Sequence, residues 1–283
     1  MGIDMKKSSQ ILKSQAKILK YIPNFLTICN SLCGFAAILL LMTAYKSTSD
    51  TVLEICMISS IMIFSAMIFD VFDGLAARLL NAASLHGIQM DSLSDMVTFG
   101  VTPAVMTAII CQCFFQWQQA VMWQMIYVYL LCSVYIGGAA LRLATYNVHA
   151  TLKSESKEKN SDRFSGLPSP GAAAALCVAI FFLYDNKGDL TAARITLAAW
   201  LLPVYAATLG LLMTSTIPYI HAGKWFMSIR RNRKKLPLVV LMLAIIVCFH
   251  WDGLAFLTLA YIFSGPVMLI FEKILLKKTS GEA

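Results

Sequence analysis

The chain has 283 residues, 58% of them hydrophobic and only 13% charged, with a mean hydropathy of +0.70. A soluble domain carries about 25% charged residues, so the composition excludes a large water-soluble core and points to an all-α polytopic membrane protein. The net charge of +8 reads as a topology signature and not as a nucleic-acid footprint, because the cations sit between apolar runs.

Residues 1–22 carry Lys6, Lys7, Lys13, Lys17 and Lys20, spread along the segment and not gathered ahead of an apolar stretch. That is no signal-peptide pattern. Lys13, Lys17 and Lys20 share one helical face, and Ile11, Ile18 and Ile22 form the other. The segment is predicted to be an amphipathic juxtamembrane helix on an anionic membrane surface. Apolar runs of about 20 residues mark spanning helices. Eight such runs follow, at 24–46, 51–80, 92–116, 121–145, 168–185, 192–217, 235–251 and 253–276. The last two are joined by the short turn His250-Trp251-Asp252-Gly253, and the one long polar insert covers 150–165. The cysteines fall inside apolar segments without zinc spacing and read as small buried hydrophobes.

With both termini cytoplasmic, 20 of the 23 Lys and Arg residues lie on the cytoplasmic side and only Lys46, Lys187 and Arg194 lie outside. This bias predicts the orientation, and an odd number of spans would spoil it. The cluster Arg230-Arg231-Asn232-Arg233-Lys234-Lys235 also suits anionic lipid.

The second span ends in Asp70-Val-Phe-Asp73-Gly74-Leu-Ala-Ala77-Arg78, and the third opens with Gly87-Ile-Gln-Met-Asp91-Ser-Leu-Ser-Asp95. A charge at the centre of a span costs roughly 2.5–3.5 kcal/mol on insertion scales, so four carboxylates need an offset, and bound cations supply one. At 1.5 Å per residue, Thr51 to Asp70 covers about 28 Å, against a hydrocarbon layer of about 30 Å. The acids therefore lie near the cytoplasmic boundary, a depth suited to lipid headgroup chemistry. Positions 70, 73, 74, 77 and 78 share a helix face, as do Asp91 and Asp95 at i, i+4. Gly87 and the residues before it are expected to turn the chain back. Oxygen ligands without Cys or His select Mg²⁺, Mn²⁺ or Ca²⁺, and four carboxylates are enough for two ions, which can clamp a phosphoryl displacement. Gly74 and Ala77 leave room for a phosphate or a flat base, and Arg78 is a phosphate contact.

These residues resemble the signature of the CDP-alcohol phosphotransferase family, Asp-x2-Asp-Gly-x2-Ala-Arg-x8-Gly-x3-Asp-x3-Asp, at all eight fixed positions: Asp70, Asp73, Gly74, Ala77, Arg78, Gly87, Asp91 and Asp95. The resemblance implies an intramembrane core of six helices, here 23–225, that dimerises, with two further C-terminal helices in 226–283. It also implies transfer of a phosphate-linked alcohol from a CDP-alcohol to a second alcohol with release of CMP. The flanks Ile22-Pro23-Asn24-Phe-Leu-Thr27-Ile-Cys-Asn30-Ser-Leu-Cys33-Gly34, Asp91-Ser-Leu-Ser-Asp95-Met-Val-Thr-Phe-Gly100-Val-Thr-Pro103-Ala, Arg142-Leu-Ala-Thr-Tyr-Asn147 and Phe164-Ser-Gly166-Leu-Pro168-Ser-Pro170 resemble the phosphatidylserine-synthesising branch. The commoner form of the fourth-span motif has Arg-Phe-Asn where this chain has Thr145-Tyr146-Asn147. On this resemblance Asp70, Asp73, Asp91 and Asp95 are metal ligands for two Mg²⁺ or Mn²⁺ ions per subunit. Asp95 is the catalytic base, with Asp91 beside it. Asp70, Asp73, Gly74, Ala77, Arg78 and Gly87 hold the CDP moiety. The substrates implied are CDP-diacylglycerol and L-serine, at a site facing the cytoplasm in the inner membrane.

Serine needs a cation for its carboxylate. Arg142, at the cytoplasmic end of span four, and Asn147 are the candidates, with Arg163 and Lys224 as alternatives. Asn24, Thr27 and Asn30 fall on one face of span one and either line the cavity or join helices. Other acceptors remain open: glycerol 3-phosphate, inositol phosphate or choline. Phosphorylated acceptors call for several arginines, and choline for an aromatic cage. A non-enzymatic cation carrier would place carboxylates near midplane, deeper than these.

Overall fold

The computed structural model describes residues 21–45, 47–80, 84–115, 121–155, 166–189, 191–217, 219 and 252–269, the side chains of 150–155 excepted. Among them all regular structure is helical. The elements are α1 (Ile22–Thr43), α2 (Ser49–Leu79), α3 (Leu85–Asp95), a π-helical segment (Met96–Val101), α4 (Thr102–Phe114), α5 (Met122–Glu155), α6 (Ser169–Asp185), a 3₁₀ turn (Lys187–Asp189) and α7 (Ala192–Thr214). A last helix, α8, covers Asp252–Leu269. Among the described residues six helices are long and apolar enough to cross a membrane, counting Leu85–Phe114 as one, and Ser169–Asp185 is a shorter apolar helix. The protein is an integral membrane protein. The expected amphipathic helix over 1–22 and the seventh run at 235–251 lie largely or wholly outside the described residues, as do Arg163 and Lys224.

The third span, Leu85–Phe114, forms the middle of the bundle and is the most buried of the six. α1 packs along α2, and α5 along α7, with the third span between them. Leu41, Leu53, Phe99, Met106, Tyr135 and Ile180 are fully buried where these helices meet. By contrast Phe25, Leu32 and Phe35 of α1 face outward, as lipid-facing residues do. At the end of the bundle away from Asp70, Trp200 packs against Phe115, Trp123 and Tyr127 with ring centroids 5.0–5.2 Å apart. That cluster suits the opposite membrane–water interface.

The π-helical segment has a local cause. Pro103 has no N–H, so it cannot donate to the Phe99 carbonyl four residues back. The Tyr135 hydroxyl donates to that carbonyl instead, at 2.8 Å. The Thr102 backbone N–H reaches back five residues to the Val97 carbonyl, and the Thr102 hydroxyl donates to the same oxygen at 2.9 Å. Single π turns of this kind are frequent at functional sites, and this one begins directly after Asp95.

α5 and α7 approach through glycine. A Cβ on Gly138 would lie 2.2 Å from the Gly210 carbonyl oxygen, and one on Gly210 would lie 2.6 Å from the Tyr135 Cα. Both obstacles are backbone, so the helices would have to separate. Gly138→Ala is expected to cost about 1–3 kcal/mol, the usual cost of overpacking, measured as a lowered melting temperature in detergent micelles.

Candidate active site

The site forms where the end of α2 meets α3, with α1 as one wall and α5 as the other. The start of α3 differs from expectation: it begins at Leu85, seven residues before the predicted 92, and Ser84 caps it by accepting from the Gly87 N–H at 3.0 Å. Gly87 therefore lies in the first helical turn and does not make the reversal. A Cβ there would lie 3.2 Å from the Ser84 Oγ and 3.7 Å from the Asn24 Oδ1, so glycine keeps the cap and α1 close.

The early start places Asp91 and Asp95 well inside a helix, where the i, i+4 spacing directs both towards α2. One carboxylate oxygen from each of Asp70, Asp91 and Asp95 lies within 4.8 Å of the others. Asp73 is outside that trio but within electrostatic reach of all three. Its Oδ2 accepts from the Thr27 hydroxyl at 2.8 Å. Asp95 is buried, and its Oδ1 accepts from the Asn30 side-chain amide at 3.1 Å.

α1 is thus the frame of the site. The Ser94 hydroxyl donates to the Thr27 carbonyl at 2.9 Å, and the Thr98 hydroxyl donates to the Asn30 carbonyl at 3.1 Å. Gly34 lets this contact close: a Cβ there would lie 2.4 Å from the Thr98 Oγ1. From α5, Asn147 Oδ1 accepts from the Ser92 hydroxyl at 2.8 Å. Tyr146 interacts electrostatically with Asp70, Asp91, Asp95 and Arg78. Tyr146 and Ser92 are the residues the sequence did not assign to the site, whereas Thr27 and Asn30 were left between lining the cavity and joining helices. The polar i, i+3, i+6 row on span one does both: Thr27 and Asn30 bond to Asp73 and Asp95 and so join α1 to the site.

The remaining candidates fall around the same centre. Arg78 is exposed, and Gly74 and Ala77 are half-buried. A Cβ on Gly74 would meet nothing within 4 Å, so open space adjoins the acids. Arg142 does not end its helix as expected, because α5 continues to Glu155. It is half-buried, one turn before Tyr146, and interacts electrostatically with Tyr261 of α8.

The donor set suits a divalent metal. Its ligands are hard oxygens, and Asp91 Oδ1 is buried without a hydrogen-bond partner. A buried acceptor left so is costly, and metal ligation is the use such an oxygen has in a trio of carboxylates.

Comparison with known proteins decides the family. The sequence model of the CDP-alcohol phosphatidyltransferase family matches residues 20–209, which hold every residue of this site. The chain belongs to that family. Among similar proteins is the CDP-diacylglycerol–serine O-phosphatidyltransferase of Bacillus subtilis, 30% identical over 207 residues, 73% of this chain and 93% of the relative. The enzyme of the same description from Helicobacter pylori strain J99 is 28% identical over 211 residues, 74% of this chain and 78% of the relative. An archaetidylserine synthase from Methanothermobacter thermautotrophicus is 30% identical over 212 residues, 74% of each chain. α8 lies beyond the matched region of the family model.

Within this family member, Thr27 orients Asp73. Thr27→Val keeps the shape and removes the 2.8 Å bond to Asp73. A hydrogen bond to a charged group is worth about 1.5–3 kcal/mol, so kcat/KM is expected to fall about tenfold or more, with unchanged expression. Initial rates on the purified variant check this.

Proposed function

We propose that the protein transfers the phosphatidyl group of CDP-diacylglycerol to the hydroxyl of L-serine, giving phosphatidylserine and CMP. The carrying observation is the trio of carboxylate oxygens within 4.8 Å beside the open face of Gly74. Serine as acceptor is supported by the relatives, whose descriptions name serine or a serine lipid while the lipid differs. Among the described residues the site has few arginines, Arg78 and Arg142, which also favours a zwitterionic acceptor over a phosphorylated one.

Each residue has a task in this reading. Asp95 takes the proton of the serine hydroxyl, and the Asn30 amide on its Oδ1 holds the carboxylate in one orientation. The serine oxygen then bonds to the phosphorus that bears diacylglycerol, and the bond from that phosphorus to the CMP oxygen breaks. The leaving CMP takes the electron pair, and Arg78 stabilises its phosphate. Gly74 and Ala77 leave space for the CDP moiety, with Gly87 at the edge of the same cradle. Asp70, Asp91 and Asp95, with Asp73 beside them, would hold Mg²⁺ or Mn²⁺, two per subunit. Bound there, the metal would neutralise the diphosphate and polarise its phosphorus. Arg142 receives the serine carboxylate and Asn147 holds α3 through Ser92.

The catalytic core runs over 23–225, and 226–283 adds the last helices. The excess of Lys and Arg in inside segments supports eight spans with both termini cytoplasmic, in the inner membrane, with the site facing the cytoplasm. The working unit is a homodimer, as the family resemblance implies.

Membranes carrying the protein, supplied with Mn²⁺ or Mg²⁺, CDP-diacylglycerol and labelled serine, are expected to form labelled phosphatidylserine and an equal amount of CMP. Chelation should stop incorporation and added metal restore it. Incorporation of glycerol 3-phosphate, inositol phosphate or choline in place of serine would overturn the assignment of the acceptor.

A further inference from the structure

The third span carries one residue more than side-by-side helix packing calls for, and it falls beside the acids. Three hydroxyls of this span reach carbonyls of α1: Ser94 to Thr27 at 2.9 Å, Thr98 to Asn30 at 3.1 Å, and Thr102, which also bonds Val97, to Gly34 at 3.2 Å. On α1 these contacts advance from 27 to 34, seven residues, the repeat of helices lying along one another. On the third span they advance from 94 to 102, eight residues. In an unbroken α-helix with 3.6 residues per turn, steps of four drift by about 40° each, so Thr102 would stand roughly 80° round from Ser94. A π turn, bonded five residues back, takes more residues per turn, and Met96–Val101 is one. It absorbs the surplus residue and keeps all three hydroxyls on α1.

The same residue turns the acids. One residue of α-helix is about 100° of rotation. With α4 in place, an α-helical course through 96–101 would swing Asp91 and Asp95 round by that amount. Their oxygens would then no longer meet that of Asp70 within 4.8 Å, and Asp95 would leave the Asn30 amide. Tyr135 of α5 holds the turn. It is fully buried, and its hydroxyl donates to the Phe99 carbonyl, in the middle of the turn, at 2.8 Å. Pro103 has no N–H to offer that carbonyl. Tyr135 has no room to retreat, because α7 closes on its backbone: a Cβ on Gly210 would lie 2.6 Å from the Tyr135 Cα. One turn further along α5, Ala139 packs on Gly100 of the π turn, where a Cβ would lie 3.3 Å from the Ala139 Cβ.

We propose that Tyr135 is a positioning residue for the acid cluster: by holding the π turn it aims Asp91 and Asp95 at Asp70, and so sets the spacing of the ligands for a divalent metal. Its influence passes through the backbone of the third span. The proposal rests on the reading of these acids as a metal site.

The test is Mn²⁺ binding to the full chain in detergent micelles, without substrates, read from the free Mn²⁺ signal in electron paramagnetic resonance. Tyr135→Phe keeps the ring and removes the hydroxyl. It is expected to weaken Mn²⁺ binding about tenfold, the size of one buried hydrogen bond left unmade. The control is Tyr127→Phe, which removes the hydroxyl that donates to the Trp200 carbonyl at 2.8 Å. This is the same loss on the same helix, at the end of the bundle away from the acids, and it should leave Mn²⁺ affinity within about twofold. Unchanged binding in Tyr135→Phe overturns the proposal. So does an equal loss in both variants, which marks a general loosening of α5. If Tyr135→Phe yields no folded protein, Pro103→Ala decides. It returns an N–H to position 103, which competes with Tyr135 for the Phe99 carbonyl and favours an α-helical turn. Weaker Mn²⁺ binding is expected there too, and unchanged binding overturns the proposal. If the unsubstituted protein binds no Mn²⁺, the metal reading of the acids fails and this proposal falls with it. Serine takes no part in the measurement, so transfer to a different acceptor would overturn the proposed reaction and leave this result standing.

Discussion

Asp95→Asn is expected to lower turnover by about 10²–10⁴-fold, the range for a lost general base, while the affinity for CDP-diacylglycerol stays within about threefold of the original. The substitution is isosteric. Its oxygen can still accept from the Asn30 amide, which now reaches Asp95 Oδ1 at 3.1 Å, so α1 and α3 should remain in register. What disappears is the capacity to take a proton. The comparison that separates base from ligand is metal dependence. If Asp95 served only to hold metal, excess Mn²⁺ would restore much of the rate, and binding of the CDP lipid would fall in parallel with turnover. The expected pattern is the reverse: near-normal binding, slow chemistry and no rescue at high Mn²⁺. Single-turnover rates alongside equilibrium binding of CDP-diacylglycerol measure both halves.

How much of this site was legible in the sequence depends on how local each contact is. The Asp70, Asp91 and Asp95 convergence was accessible because helical periodicity is local: i, i+3 and i, i+4 spacings fix a face before any tertiary contact is known. The start of the third span was not. The stretch from Ser84 to Asp95 is polar, with Gln89, Asp91, Ser92 and Ser94 in it, and hydropathy places the boundary at 92. The helix begins at Leu85 because Ser84 caps it, and its buried serines, Ser94 and Ser92, bond to α1 and α5. The contribution of α1 shows the same limit. Thr27 and Asn30 meet Asp73 and Asp95 across 46 and 65 residues of chain, and nothing in a periodic pattern says which helix a polar face will meet. The π-helical turn left one clue, Pro103, but its consequence required Tyr135 to stand opposite the freed Phe99 carbonyl. Arg142 was picked out as a cation near the end of its run, but the run's hydropathy hid that the helix continues past it to Glu155.

Asp91→Asn is expected to weaken Mn²⁺ activation by at least about 100-fold, because loss of an outer-shell partner alone costs about 10–100-fold in metal affinity or activity. The same variant should be more stable than the unsubstituted protein when metal is chelated. Both effects follow from one geometry. Three carboxylate oxygens lie within 4.8 Å of one another, and like charges at about 4 Å repel by roughly 4 kcal/mol at an effective dielectric constant of 20. Asp91 Oδ1 is also buried without a hydrogen-bond partner, so in the metal-free state the fold carries both the repulsion and an unsatisfied acceptor. An amide at that position removes the charge and part of the repulsion. A gain of even 1 kcal/mol raises a melting temperature by about 2–4 °C in a protein of this size class. Melting curves of both proteins in detergent, with chelator and with saturating Mn²⁺, should therefore cross: the variant more stable without metal, the unsubstituted protein more stable with it. A group of surface acids with no ion among them would show neither the crossing nor the loss of activation, because water would already screen the charges. Equal Mn²⁺ activation of the two proteins would thus remove Asp91 from the metal site, and identical melting in chelator would mean that the three acids do not repel as their spacing requires.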